Sequence, residues 1–306
     1  MKRQLAFAAM AIAGWMAQGS AAPTSDSAES HADEITARIL DNAAKVKAAN
    51  PISVPMAFWD FDGTIIKGDV TSGWDDDGNV LYKGMAVRTI EAGLNSVYPA
   101  EGGGDQYFKI DYPRFRLGIG KWLAWPFRAQ MYYGQSEDKL ESFCRGECER
   151  DFSRWYFSSS VKMLKALERG GVENYIISAS PEIFVRGAAT SLGLPRERFR
   201  GVRTKVVCGR ITTQTEYPLP DFEGKVEILQ GIVRARPNGV AVAAFGNSYS
   251  ADAGFMRYVA TQPALPGGAA GTAVMINGAK PMEGYAELFI KVSQSETVGD
   301  LAPEAP

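Results

Sequence analysis

The sequence predicts an α/β fold: a mostly parallel sheet with helices on both faces, carrying a mainly helical insertion after its first strand. Three observations predict it. Short apolar runs (Met56–Trp59 within Val54–Thr64, then Asn174–Ser178, Val240–Phe245 and Thr272–Ile276) alternate with segments of helical periodicity, as strands buried on both faces do. Polar residues gather where those runs stop, which is where an open α/β sheet binds ligands. Between the first run and the second, from Lys67 to about Ser160, Gly- and Asp-rich turns and aromatic helical patterns replace the apolar runs.

The chain of 306 residues is long enough for one large domain or two modest ones, and 45% hydrophobic with 22% charged content is ordinary for a soluble globular protein. A net charge of −2 with scattered signs gives no nucleic-acid or membrane-surface footprint. At the N-terminus, Lys2 and Arg3 precede an apolar run from Leu5 to Ala17 and the small residues Gly19-Ser20-Ala21-Ala22. This pattern predicts an export signal over residues 1–22 and a periplasmic or secreted mature protein. The run is shorter than the roughly 20 residues of a spanning helix, a retained anchor being the competing reading. No cysteine lies there to accept a lipid. Cys144 and Cys148 share a helix face, where a disulfide is geometrically awkward, so buried thiols are expected; Cys208 stands apart. His31 is the only histidine and sits in a polar segment. Histidine-based triads, Cys–His pairs and His-ligated metals are thereby excluded. Hydrolytic chemistry here must run on carboxylates, hydroxyls and lysine, with or without a hard cation.

In chain order, Pro23–Ala32 reads as a linker. Asp33–Ala49 reads as a helix with Ile35, Ile39, Leu40, Ala43 and Val46 at helical spacing. The first strand then runs into Asp60-Phe61-Asp62-Gly63, a tight turn. Within the insertion, Gly68–Gly84 is rich in Gly and Asp, Glu101–Asp105 is a loop, Lys121–Tyr133 is an aromatic helix and Asp138–Phe157 is one helix or two. Val161–Arg169 is a helix stopped by Gly170-Gly171. After the second strand, Ser180-Pro181-Glu182 reads as the N-cap and first turn of a helix to about Leu192. Thr204–Thr213 is a hairpin turning near Gly209. Gly224-Lys225-Val226-Glu227 opens a helix with Ile228, Leu229, Ile232 and Val233 on its apolar face. Two more strands follow, and residues 293–306 read as a frayed tail.

Asp60 and Asp62 both reach one pocket where the first strand ends, and two carboxylates so close call for a cation or a raised pKa. The second strand ends at Ser178, Lys225 opens the helix before the third, and the third ends in Gly-Asn-Ser-Tyr-Ser-Ala-Asp with Asn247 and Asp252. In this order the set resembles the haloacid dehalogenase superfamily of phosphohydrolases, over roughly Val54 to Ile276. The resemblance implies a Rossmann-like core (51–66 and 161–292) and a helical cap (67–160). It assigns Asp60 as nucleophile and Asp62 as acid and base. Mg2+ would be held by Asp60, Asp62 through its carbonyl, and Asp252, with Asn247 alongside. Phosphate would meet Ser178, Lys225 and the backbone amides of Gly63, Thr64 and Ala179. The chemistry agrees: phosphate-ester hydrolysis needs a nucleophile, charge neutralisation and a proton for the leaving alcohol.

Asn247 departs from the family pattern, which commonly has Asp there, and costs the metal site one negative charge. The Asp60/Asp62 pair points to phosphatase or phosphotransferase chemistry, and the cap position resembles the phosphoserine phosphatase-like branch. Asp69, nine residues after Asp60, is then either a carboxylate for a substrate amine or a solvated loop residue. The aromatic run Trp122–Tyr133 is the apolar underside of the cap or a cage for a quaternary ammonium. The expected function is an exported, Mg2+-dependent phosphomonoesterase acting on a small phosphate ester, with phosphoserine, phosphoethanolamine and phosphocholine as the candidates. The alternative is a non-catalytic or phosphotransferase member of the same scaffold serving as an exported binding protein. No nucleic-acid partner is expected, nor a membrane one after signal cleavage; the oligomeric state stays open.

Overall fold

The computed structural model describes residues 25–76, 79–279 and 281–301; the expected signal segment lies outside them. The first helix starts at Ser25 and runs to Ala49, so the segment expected as a linker is helical from its third residue onward. The strands are β1 (Val54–Trp59), β2 (Gly73–Asp76), β3 (Asn79–Lys83), β4 (Glu173–Pro181), β5 (Phe199–Val202), β6 (Thr204–Val207), β7 (Arg210–Thr215), β8 (Gly239–Gly246), β9 (Thr272–Ile276) and β10 (Ile290–Val292).

Six of them form one parallel sheet in the order β10-β9-β8-β1-β4-β5. Side chains alternate between its faces with the period of two that a strand imposes. Met56 and Phe58 enter one apolar cluster with Leu229, Ile232, Phe255 and Val259 from the helices Glu223–Ala235 and Ala253–Thr261. Ala57 and Trp59 enter the other, with Ile35, Ile39 and Leu164 from the helices Ser25–Ala49 and Ser158–Arg169. Trp59 is fully buried, stacks on Phe245 of β8 with ring centres 3.5 Å apart, and donates its indole N–H to Asn174 Oδ1 of β4 at 2.8 Å. One side chain thus ties the three central strands together immediately before the first aspartate. From β1 the chain order runs outward to β4 and β5 on one side and to β8, β9 and β10 on the other. The carboxyl edge between β1 and β8 is therefore the switch point where such sheets bind ligands.

The insertion after β1 is helical for most of its length but opens with an antiparallel hairpin, β2–β3, where composition showed only Gly and Asp. Asp138–Phe157 resolves into the helix Glu137–Arg150 and a short 3-10 turn, Phe152–Trp155. The β6–β7 hairpin turns at Cys208-Gly209 as expected. The edge strands β5 and β10 were not legible as apolar runs, because they are only four and three residues long and each is interrupted by a charged residue, Arg200 or Lys291. All three cysteines are free thiols, with Cys144 and Cys148 buried and Cys208 exposed.

The tail is a correction. Residues 293–301 pack across the base of the first loop instead of fraying. Val298 N–H bonds the Tyr156 carbonyl at 2.8 Å, and Gln294 and Thr297 are buried. Gln294 donates to Ser160 Oγ (2.8 Å) and to the Thr64 carbonyl (3.2 Å), which Ser160 also bonds at 2.7 Å.

Candidate active site

Beyond β1 the chain turns sharply, with the amides of Ile65 and Ile66 both donating to the Phe61 carbonyl. Gly63 sits at φ +73°, and a Cβ there would lie 1.9 Å from Asn247 Nδ2. Only glycine fits, so the β1 turn and the β8 turn are in direct contact. The Gly63 amide donates to the Ile66 carbonyl (2.8 Å) and the Thr64 amide to Phe61 (3.3 Å). These two amides, expected to hold phosphate, are spent inside the turn. The amides of Phe61 and Asp62 find no acceptor among the described residues.

Asp60 is 5% exposed. Its Oδ1 accepts from Lys225 Nζ at 2.6 Å and its Oδ2 from Thr64 Oγ1 at 3.0 Å. Thr64 therefore serves through its hydroxyl, and its carbonyl is the one braced by Ser160 and Gln294. Lys225, fully buried at the start of its helix, gives a second hydrogen bond to Asp252 Oδ1, also at 2.6 Å. Asp252 Oδ2 takes the amides of Asn247 (3.0 Å) and Ser248 (2.9 Å), which fixes the β8 turn. One ammonium shared by two buried carboxylates leaves an excess negative charge. Burial, and then the Asp252 charge, push Asp60 up to about 7 against the lowering pull of Lys225.

Asp62 faces the other way. Its Oδ1 accepts from Val70 N–H (2.7 Å), and its Oδ2 accepts from Ser178 Oγ (3.1 Å) and Ser180 Oγ (2.7 Å). Ser180 was expected only to cap a helix. In fact β4 continues through Pro181, and Ser180 also receives a hydrogen bond from Thr71 Oγ1 at 2.8 Å. Ser178 and Ser180 stand two residues apart on one strand, hence on one face, and Ser-Ala-Ser was the signal that could have found the second. Burial, then Asp69 and then Asp60, push Asp62 up to about 8, outweighing the hydrogen bonds that favour its charged form. A carboxyl held protonated near neutral pH is suited to give a proton away.

A cleft of about 320 Å3 opens over these groups, lined also by Asp69, Ala179 and Asn247 from the expected set and by Arg116, Lys121, Trp125 and Arg128 of the cap. Asp69 spends Oδ1 on the amides of Thr71 and Ser72, both at 2.7 Å, so it shapes the loop as well as facing the cleft. Trp125 belongs to the aromatic run weighed as an ammonium cage, whereas Arg116, Lys121 and Arg128 were not expected in the site, since nothing in their local spacing places them over the β1 turn. Arg128 is the most unusual. It is 4% exposed, lies 4.2 Å over the Tyr112 ring and donates to Ser72 Oγ at 3.1 Å. Its Nε has no partner, and no carboxylate pairs with it among the described residues. The aromatic run divides: Tyr132 is buried against Phe184, as the underside of the cap should be, while Trp122 is 76% exposed.

Among the described residues no three acidic, histidine or cysteine side chains converge to hold a metal. What does converge is a pair of carboxylates, Asp60 and Asp252, that share the Lys225 ammonium, with Asn247 and Asp62 lining the same cleft. Two carboxylates completed by amide and carbonyl oxygens suit a hard cation such as Mg2+ rather than zinc.

The raised acids make stability pH-dependent. A carboxyl whose folded pKa exceeds its unfolded one holds more protons folded than unfolded between the two, so stability falls as pH rises through that window. For Asp62 the window runs from 3.8 to about 8. With chelator present, the unfolding free energy is expected to decline across it, and Asp62→Asn to flatten part of the decline. Parallel denaturation profiles for the two proteins would contradict this account of the carboxyl.

A sequence model described as haloacid dehalogenase-like hydrolase matches residues 57–257. No curated protein matches the chain. Among solved structures, a conserved protein of unknown function from Anaerococcus prevotii DSM 20548 superposes with a TM-score of 0.55 at 13% identity, covering 82% of this chain and 86% of that one. A protein of unknown function from Bordetella pertussis Tohama I gives 0.55 at 15% identity, covering 78% and 98%. Cytosolic 5'-nucleotidase IIIB bound to cytidine gives 0.54 at 14% identity, covering 89% and 88%. At such identities the structural likeness speaks for the fold alone. The family match, however, spans the β1 turn, Ser178, Lys225 and Asp252, the groups that the fold gathers around one cleft, and the chain belongs to the haloacid dehalogenase-like hydrolase family.

Proposed function

We propose that this chain is an exported, Mg2+-dependent phosphomonoesterase acting on a small ester whose leaving group bears both an amine and an acid, as phosphoserine does. The observation that carries the reaction is the pairing of a lysine-clamped Asp60 with an Asp62 whose carboxyl is raised to about 8. Asp60 attacks phosphorus and the P–O bond to the alcohol breaks, leaving an aspartyl phosphate. Asp62 gives its proton to the departing oxygen. It then takes one from the water that attacks the aspartyl phosphate, which returns Asp60 and releases phosphate. Ser178 and Ser180 hold Asp62 in place, and Thr64 holds Asp60. Lys225 and the unpaired amides of Phe61 and Asp62 offset negative charge on the transferring group. Asp60, Asp252, Asn247 and the Asp62 carbonyl would hold Mg2+, which supplies further positive charge to phosphate and nucleophile.

The leaving group is read from the cap. Asp69 offers a negative charge and the buried, partly unsatisfied Arg128 a positive one, in the same cleft. A buried cation without a carboxylate partner is stabilised by an anionic ligand. The sequence-level expectation of an amine-bearing ester is thus narrowed: phosphocholine leaves Arg128 unanswered, whereas phosphoserine answers both charges. The test is a panel of monoesters with Mg2+. Arg128→Met should raise KM for phosphoserine about tenfold to a hundredfold, the worth of a charge-assisted hydrogen bond, and spare phosphoethanolamine. Asp69→Asn should affect both. Hydrolysis of no monoester would overturn the reaction, and equal damage to every ester would overturn the leaving-group assignment. Export is checked by the N-terminus of the mature protein, which should lie near Ala22 or Pro23.

A further inference from the structure

Residues 69–72 lead from the β1 turn into the cap and reach Asp62 by two routes. Val70 N–H donates to Asp62 Oδ1 at 2.7 Å. Thr71 Oγ1 donates to Ser180 Oγ at 2.8 Å, and Ser180 Oγ donates to Asp62 Oδ2 at 2.7 Å. Thr71, Ser178 and Ser180 are all buried. Other buried threonines spend the hydroxyl locally: Thr36 and Thr89 donate to the carbonyls of Ala32 and Met85 in their own helices. Thr71 instead reaches a residue 109 positions away. Its backbone is gripped from the cap. The amides of Met85 and Ala86, which open the helix Met85–Glu91, donate to the carbonyls of Val70 (2.7 Å) and Thr71 (3.1 Å). That helix has no side-chain cap at Gly84, so the two carbonyls satisfy amides that a helix start leaves open. A Cβ on Gly84 would lie 2.1 Å from the Thr71 carbonyl oxygen, so the contact is close.

We infer that Thr71 is a positioning residue for the acid: through Ser180 it fixes the carboxyl group of Asp62 and ties that group to the cap. The inference rests on the reading of Asp62 as proton donor to the leaving alcohol. A count of donors carries it. Each hydroxyl gives one proton. The Thr71 proton fills an acceptor position on Ser180 Oγ and leaves the single Ser180 proton for Asp62. Ser178 Oγ, which accepts from the Ser180 amide at 3.0 Å, gives a second proton to the same oxygen at 3.1 Å. Both lone pairs of Asp62 Oδ2 are then taken, and Val70 N–H takes one on Oδ1. One position stays free, on Oδ1, from which a proton can be exchanged with the leaving oxygen. Without the Thr71 hydroxyl, Ser180 is free to turn its proton elsewhere, and the carboxyl group loses one of the bonds that set its plane. The same segment holds Arg128, the cation read as meeting the leaving group: Ser72 Oγ accepts from Arg128 Nη2 at 3.1 Å. Asp69 Oδ1 binds the Thr71 and Ser72 amides together, both at 2.7 Å. Four consecutive residues thus set the acid and Arg128 relative to each other.

The experiment measures kcat and KM with Mg2+ for the full chain, Thr71→Val and Thr71→Ser, on p-nitrophenyl phosphate and on whichever alkyl monoester the parent turns over fastest. An alkyl alcohol needs a proton as it leaves, and p-nitrophenolate hardly does. Thr71→Val should lower kcat for the alkyl ester by about tenfold, the worth of one buried hydrogen bond. For p-nitrophenyl phosphate the loss should be about twofold, with KM for both esters moving less than about twofold. Thr71→Ser keeps the hydroxyl and should restore the alkyl-ester rate. Ser180→Ala should reproduce the split, and adding Thr71→Val to it should cost little more, since both break one relay. Thr71→Ala should match Thr71→Val and replaces it if the second methyl of valine crowds Ser180. Equal losses on both esters, an undiminished alkyl-ester rate, or no rescue by serine would overturn the inference and leave the proposed reaction standing. Failure of both the valine and alanine variants to fold would make Thr71 a structural residue only and also overturn it. Hydrolysis of neither ester by the parent would overturn the reaction itself, and the inference with it.

Discussion

Asp60→Asn is expected to abolish turnover, by at least a thousandfold, while the fold survives. The amide matches the carboxylate in volume and can still accept from Lys225 and Thr64, whose hydrogen bonds hold Asp60 from two sides. What it lacks is the anion that, in the proposed mechanism, attacks phosphorus. Each tenfold loss corresponds to about 1.4 kcal/mol of barrier, so a variant that kept more than about a hundredth of the wild-type rate would have lost under about 3 kcal/mol. That outcome would exclude covalent catalysis by this residue. Stability moves the other way. Burial and Asp252 raise the carboxyl of Asp60, which makes ionisation near neutral pH unfavourable to the folded state when no metal is bound. In chelator at pH 8, Asp60→Asn should therefore melt no lower than the parent. A lower melting temperature there would mean that the anion is a stabilising partner of Lys225 after all.

Lys225→Met should damage stability and catalysis together. The ammonium is fully buried and is the group that Asp60 Oδ1 and Asp252 Oδ1 share, each at 2.6 Å. Methionine fills most of its volume but leaves two buried carboxylates facing each other. Removing one partner of a buried ion pair costs about 3–5 kcal/mol. The figure here belongs at the low end, because Asp60 can relieve the repulsion by keeping its proton. In the proposed mechanism the same proton removes the nucleophile. The rate should consequently fall by about a hundredfold or more, and the rise of rate with pH should move to higher pH, since the lowering influence of Lys225 on Asp60 is gone. Urea denaturation and a pH–rate profile measure the two effects. An unchanged stability with an unchanged pH limb would show that Lys225 is not coupled to the acids.

The core of the site could be read in the sequence because its residues sit where elements begin or end. Asp60, Asp62 and Asn247 follow apolar strands, Ser178 closes the apolar run inside β4, and Lys225 opens an amphipathic helix. The ends of buried strands converge at one sheet edge whatever the intervening chain does. The four central strands were legible for the same reason: Met56–Trp59 and Val240–Phe245 are apolar on both faces because both faces are covered. The sequence also excluded histidine chemistry, through its single His31.

Tertiary structure decided the rest. Whether a backbone amide is free depends on the path of the chain around it, and the β1 turn consumes the amides of Gly63 and Thr64 while sparing those of Phe61 and Asp62. Ser180 looked like a helix cap because its local sequence is that of one, but the β4 ladder extends over it and aims its hydroxyl at Asp62. The supposed tail is pinned by Gln294, which reaches the Thr64 carbonyl across a separation of 230 residues. Arg128 looks like one more surface cation on an aromatic helix until the cap folds over the cleft and buries it beside Tyr112. Strand ends are set by local periodicity and can be read from one stretch of chain. The protonation of Asp62, the charges that Asp69 and Arg128 bring to the cleft and the exposure of Leu117, Ile119 and Trp122 are set by neighbours distant in sequence, and burial and Coulomb interactions act through space rather than along the chain.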